Sequence, residues 1–151
     1  MVHNTQYLAG VIDSDGSISI IKRLRQTTSR GYAYREVVQI TWAYEPLAEA
    51  YFNSIKEQYG GSVFTTTKKA NEYGKKLPIV KYTAEAKACE RLLRDILPHL
   101  ILKKWQAEYA IQMRELKSNQ YGYTKAKPDS VWEVEDRIYK SMQKRRARGN
   151  A

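Results

Sequence analysis

The sequence predicts an α+β fold: a four-stranded antiparallel sheet with helices on one face and an open, polar second face. Three observations carry that prediction. A short helix-periodic run, Leu8, Val11 and Ile12, passes directly into Asp13-Ser14-Asp15-Gly16 and then into an alternating strand. Two pairs of alternating segments each bracket a polar turn, the pattern of two hairpins. A helix-periodic segment precedes each pair, so the order is α-β-β-α-β-β-α-α with a further C-terminal helix.

Asn4 or Thr5 can cap a first helix over about residues 6–14, through a side-chain oxygen that accepts free N–H groups of the first turn. Ala9, Gly10 and Asp13 are small or short, which lets a second backbone approach. Gly16 is the expected stop, because glycine takes a left-handed conformation at little cost. Asp15 then lies at the negative end of the helix dipole, where a carboxylate costs roughly 0.3–1 kcal/mol. A divalent cation is the candidate for the charge that offsets it.

Ser17 to Arg25 reads as a strand with Ile18 and Ile20 on one face and Ser19, Ile21, Arg23 and Arg25 on the other. After a polar turn over residues 26–33, Tyr34 to Ala43 returns with Val38, Ile40 and Trp42 opposite Arg35, Val37, Gln39 and Thr41. Pro46 opens a helix striped by Leu47, Tyr51, Phe52 and Ile55, and Gly60-Gly61 closes it. The second hairpin runs from Ser62 to Lys69, through a loop at residues 71–74, and back from Pro78 to Thr83. Helices follow at Glu85 to about Leu97 and Leu102 to about Lys117, the latter striped by Leu102, Trp105, Tyr109, Met113 and Leu116. A lysine-bearing linker from Ser118 to Pro128 leads to a helix from Asp129 to about Lys144. The tail Lys144-Arg145-Arg146-Ala147-Arg148 reads as disordered and free to touch phosphate. We take residues 1–117 as the core and 118–151 as linker, helix and basic tail of the same domain.

The chain has 151 residues, enough for one domain with a core and not comfortably two. It carries 26 Lys+Arg against 16 Asp+Glu, a formal charge of +10, which points to a polyanionic partner. With no apolar stretch of membrane-spanning length, that partner is nucleic acid rather than a membrane. Cys89 is the one cysteine and His3 and His99 the two histidines, so a disulfide or a Cys/His zinc site is excluded; Cys89 reads as a small core residue. No secretory segment precedes Tyr7, so an intracellular, DNA-associated protein (prokaryotic cytoplasm or organelle matrix) is expected.

The open sheet face gathers Ser19, Ile21, Arg23, Arg25, Arg35, Val37, Gln39, Thr41, Thr65, Thr67, Lys69, Lys81 and Thr83. A two-stranded ribbon fits the major groove of DNA, where arginine matches guanine, glutamine matches adenine, and Thr or Ile21 can meet a thymine methyl. A calcium loop at Asp13, Asp15 and Ser17 is excluded, because its sixth position is Ile18 rather than Gly and its twelfth is Leu24 rather than Glu. A plain Asx-rich turn stays open on local grounds.

Leu8-Ala9-Gly10-Val11-Ile12-Asp13-Ser14-Asp15-Gly16 resembles the nine-residue signature of the LAGLIDADG homing endonucleases, matching seven positions and departing at Val11 and Ser14. The segment from Leu97 to Ala107 resembles the family's helix–Pro–apolar connection. The resemblance implies a motif helix that forms the subunit interface, here through Leu8, Ala9, Gly10, Ile12 and Asp13. It implies that Asp15 binds Mg²⁺ with the Ser14 carbonyl as a further ligand, and that Lys103 is the basic active-site residue, with Lys104 its neighbour. A solvent-positioning residue falls on Glu45, or next on Tyr44. One motif copy implies a homodimer on a near-palindromic double-stranded DNA site, in a site-specific endonuclease encoded in an intron or similar mobile element. Two other classes stay open: a noncatalytic binder on the same fold (an RNA-splicing maturase contacting intron RNA, or a DNA-binding regulator), and a structural basic protein of ribosomes or chromatin.

Overall fold

The computed structural model describes residues 4–66, 77–118 and 127–149. Helix α1 spans Thr5–Asp15, and Asn4 caps it: its Oδ1 accepts the N–H groups of Gln6 at 2.9 Å and Tyr7 at 3.1 Å. Gly16 follows with φ −85° and ψ 170°, so it is extended and not left-handed as the sequence led us to expect. Its need for glycine is steric, since a Cβ there would sit 2.8 Å from the Ile12 Cα.

Strands β1 (Gly16–Leu24) and β2 (Tyr32–Ala43) form the first hairpin, α2 covers Pro46–Tyr59, and β3 (Ser62–Thr65) and β4 (Ile79–Glu85) form the second. Helix α3 (Ala86–Ile96), a 3₁₀ turn (Leu97–His99), α4 (Lys104–Ser118) and α5 (Asp129–Gly149) complete the order. The sheet is antiparallel in the order β1-β2-β4-β3. The expected loop at residues 71–74 and residues 119–126 of the expected linker lie outside the described residues.

Alternation along each strand sends one set of side chains to the helices. Ile18, Val38, Ile40, Val80 and Tyr82 are buried there with Leu8 and Ile12 of α1, Phe52 and Ile55 of α2, Leu92, Leu93 and Ile96 of α3 and Ala107 of α4. Cys89 joins this core, and burial pushes its thiol pKa up. Glu36 is also on this face, 1% exposed, and its charge is met by Lys117 at 2.7 Å and Arg114 at 3.8 Å. A second cluster, Ile20, Tyr34, Met113, Ile138 and Met142, lies between the first hairpin, α4 and α5.

The basic tail expected to be disordered is helical through Gly149. No helix breaker interrupts it, and two of its arginines find partners: Arg145 lies over the Trp105 ring at 4.4 Å, and Arg146 donates to the Ile18 carbonyl. Asp136 ties α5 to the first hairpin, accepting from the hydroxyls of Tyr32 at 2.8 Å and Tyr34 at 2.5 Å and from Arg30 at 3.3 Å.

Two consequences are measurable. Gly61 has φ +99°, and a Cβ there would lie 2.5 Å from the Thr83 carbonyl oxygen. Gly61→Ala is therefore expected to cost about 2 kcal/mol or more in urea denaturation. Burial by itself raises the Asp136 carboxyl pKa, but the Tyr34 and Tyr32 hydrogen bonds and the Arg30 charge outweigh it and hold it below the usual value. Its ionised form therefore stabilises the fold at neutral pH, and that contribution is lost as pH falls through the depressed pKa. Asp136→Asn is expected to lose about 1–2 kcal/mol at neutral pH, with the gap to wild type narrowing below about pH 4.

Candidate active site and nucleic-acid interface

The last turn of α1 and the connection between α3 and α4 hold each other by reciprocal hydrogen bonds. The Asp13 carboxylate accepts the backbone N–H groups of Ile101 at 2.8 Å and Lys103 at 2.9 Å. The Lys103 ammonium, half-buried, donates to the Ile12 and Asp13 carbonyls, each at 2.9 Å. It thereby places a cation at the C-terminal, negative end of the α1 dipole. Burial lowers the Lys103 pKa, the Asp13 and Asp15 charges oppose that shift, and Arg146 reinforces it. Lys104 is exposed and begins α4.

Asp15 is the last residue of α1 and is exposed. Its Oδ2 accepts from the Ser14 hydroxyl at 3.1 Å, and that hydroxyl also lies 3.0 Å from the Gly10 carbonyl. One hydroxyl proton serves one acceptor at a time, which leaves the Asp15 oxygens open to a further ligand. Among the described residues no three His, Cys, Asp or Glu side chains gather as a metal cluster. The donors a hard cation can find here are the Asp15 carboxylate and main-chain oxygen, the chemistry that Mg²⁺ prefers when water and phosphate complete its shell.

Asp15 and Ser14 line one groove with Glu45, which immediately precedes α2 and makes no capping hydrogen bond. Tyr44 does not line it; the nearby Glu49 charge raises its hydroxyl pKa. The other walls are Tyr7, Gly10 and Val11 of α1 with Trp42, Leu47 and Tyr51. Leu8, Ala9 and Ile12, expected at a subunit interface, are instead wholly buried within the single chain. The 3.6-residue period explains this correction: the set that packs on the sheet cannot also face outward. Tyr7, Gly10, Val11 and Ser14 form the outward stripe, while Asp13 is spent on the α3–α4 connection.

Strand register decides which residues share the open face, because directly paired residues point to the same side. Ser17 pairs with Gln39, Ser19 with Val37 and Ile21 with Arg35; Gln39 pairs onward with Thr83 and Thr41 with Lys81. These residues share the face, as does Arg23. Three expectations are corrected. Thr65 pairs with Val80, which is fully buried, so Thr65 is on the helical side, and Phe64 and Ser62 take its place opposite Lys81 and Thr83. Arg25 lies past the end of β1, in the turn. Val37 is 1% exposed, and lies on the strand between Arg23 and Glu85, whose side chains pair at 2.7 Å. Thr67 and Lys69 lie outside the described residues.

Glu85 is the face residue the sequence reading missed. It shares parity with Lys81 and Thr83, but a helix was expected to begin at Glu85, whereas β4 continues to that residue. Arg146 and Gln106, which both donate to the Ile18 carbonyl beneath the site, carried no local signal.

No family model matches the sequence, and no curated protein matches it. The fold is that of the LAGLIDADG homing endonucleases. The homing endonuclease I-CvuI, solved in complex with its target, aligns with a TM-score of 0.59 and 18% identity over 89% of this chain and 93% of its own. The LAGLIDADG homing endonuclease I-SmaMI, bound to cleaved DNA, gives 0.68 and 16% over 94% of this chain but 44% of its own. The homing endonuclease I-TnaI gives 0.62 and 11%, over 92% and 87%.

Removing the Asp13 carboxylate would leave two backbone N–H groups without their acceptor. Asp13→Ala is expected to destabilise the protein by about 2 kcal/mol, read as a lower urea midpoint with an unchanged denaturant slope.

Proposed function

We propose that this protein is a site-specific double-strand DNA endonuclease, acting as a homodimer with Mg²⁺. The observation that carries the proposal is Asp15, an exposed carboxylate with open oxygens at the end of the motif helix, next to the Lys103 ammonium and where β1 leaves for the polar sheet face. The formal charge of +10 suits a DNA partner.

Asp15 and the Ser14 carbonyl would hold the metal, through the hard oxygen donors that Mg²⁺ prefers. When bound, Mg²⁺ supplies Lewis-acid stabilisation of the negative charge that develops in phosphodiester displacement. Lys103 uses two of its three N–H donors on the Ile12 and Asp13 carbonyls, and the third remains for phosphate oxygen or water. Glu45 lines the same groove and orients the attacking water.

A second copy of the chain completes the site. The outward stripe of α1 forms an apolar groove with Trp42, Leu47 and Tyr51, and a Cβ placed on Gly10 would meet nothing within 4 Å. Packing two such helices together covers this surface and brings two Asp15 carboxylates to one two-fold axis, which selects a near-palindromic site. We place the protein inside the cell with its DNA. None of the described helices is long and apolar enough to cross a membrane.

The test is cleavage of a random-insert DNA library by wild type and Asp15→Asn, with Mg²⁺ and with chelator. Cutting at one long near-palindrome by wild type with Mg²⁺ is expected. Asp15→Asn should lose about a thousand-fold or more in rate, equivalent to some 4 kcal/mol of transition-state stabilisation, while still binding. Salt-sensitive binding by both proteins with no cutting by either would replace this reading with a noncatalytic DNA or intron-RNA binder.

A further inference from the structure

Glu85 is an acidic residue on the face that the charge pattern dedicates to a polyanion. Its register partner on β2 is Val37, which pairs in turn with Ser19 on β1. From β4 its carboxylate reaches over β2 to Arg23, with Oε1 2.7 Å from Nη2 and Oε2 3.4 Å from Nη1. The same Oε2 lies 3.8 Å from Nη1 of Arg35. One carboxylate therefore holds arginines from two strands, and Arg23 is held through both terminal nitrogens in the fork geometry that it would otherwise offer to guanine or to phosphate.

The arrangement is not a helix cap. Glu85 precedes α3 in extended conformation and makes no side-chain capping bond. Nor is it a core ion pair, because the Arg23 and Glu85 side chains are 46% and 32% exposed. An exposed pair of this kind contributes little to stability, so its consequence lies in what it does to the arginines.

We propose that Glu85 is a specificity-setting positioning residue of the DNA-reading face. The inference rests on the DNA-binding reading above. The carboxylate withholds Arg23 from phosphates of arbitrary sequence and attracts Arg35 without a hydrogen bond to it. Only a site whose base edges outbid Glu85, or accept the arginines in the orientation it imposes, gains their full contact. Nonspecific DNA meets a face with about one unit less available positive charge.

The experiment uses the full chain with Glu85→Gln, Arg23→Ala and the double variant. Binding to a random-sequence duplex is measured against salt, and preferred sites are selected from a randomised duplex pool. Glu85→Gln is expected to bind random duplex several-fold more tightly, with the slope of log K against log salt steeper by about one. Its selected sites should lose discrimination at one symmetric pair of positions. In the Arg23→Ala background the slope change should disappear. A Glu85→Gln protein with the wild-type slope and site profile overturns the inference, and so does a slope change that persists in the double variant. If wild type binds no duplex at all, the DNA-binding reading itself has failed. Thermal melting of each variant separates these outcomes from unfolding, and the isosteric Gln removes no cap.

Discussion

The reciprocal bonds between Asp13 and Lys103 are the constraint on which the rest of the candidate site depends. Each residue offers its side chain to the other's stretch of main chain, so the end of α1 and the start of α4 are defined together. Hydrogen bonds that involve a charged partner contribute roughly 1.5–3 kcal/mol each. Losing either partner leaves the other's polar groups without theirs. Asp15 sits two residues beyond Asp13, so its position follows from this clasp. The unfavourable dipole at a carboxylate-bearing helix end, which pointed to a metal, is met first by the protein's own ammonium.

The sheet separates two jobs by parity. Side chains facing the helices close a core that admits the Glu36 carboxylate, where Lys117 and Arg114 meet its charge. The other face is mainly polar, with Ile21, Val37 and Phe64 among its residues, and charge there is organised rather than merely accumulated, because Glu85 gathers Arg23 and Arg35 into one group. The same alternation that makes a strand amphipathic thus makes the open face a patterned surface.

Much of this was legible in the sequence, for identifiable reasons. Helix caps, Pro46 and the alternation of β1 and β2 are local signals, and each element they imply is present. That Asp15 and Lys103 both belong near the end of α1 was expected from a motif resemblance, since residues so far apart in sequence have no local reason to meet. What could not be read was tertiary. Gly16 looked like a left-handed stop but is held by the approach of the Ile12 backbone. Leu8 and Ile12 looked available to a partner, yet the period that makes them one face commits that face to the core. Thr65 was misplaced because a hairpin's parity depends on register, which its sequence does not state. The arginine tail looked unstructured because its partners, Trp105 and the Ile18 carbonyl, belong to other elements.

The second core cluster carries a consequence for how the molecule comes into being. It joins Ile20 and Tyr34, from the first hairpin, to Ile138 and Met142, from the last helix, and the Tyr34–Asp136 hydrogen bond closes over 102 positions of sequence. Contacts of such separation are entropically expensive to form early and slow the folding of a small domain. During synthesis the first hairpin therefore waits, with one apolar flank unprotected, until nearly the whole chain has been made. A premature stop before Asp129 would leave that flank bare for good, so truncated products of this gene should be the ones that cellular quality control removes.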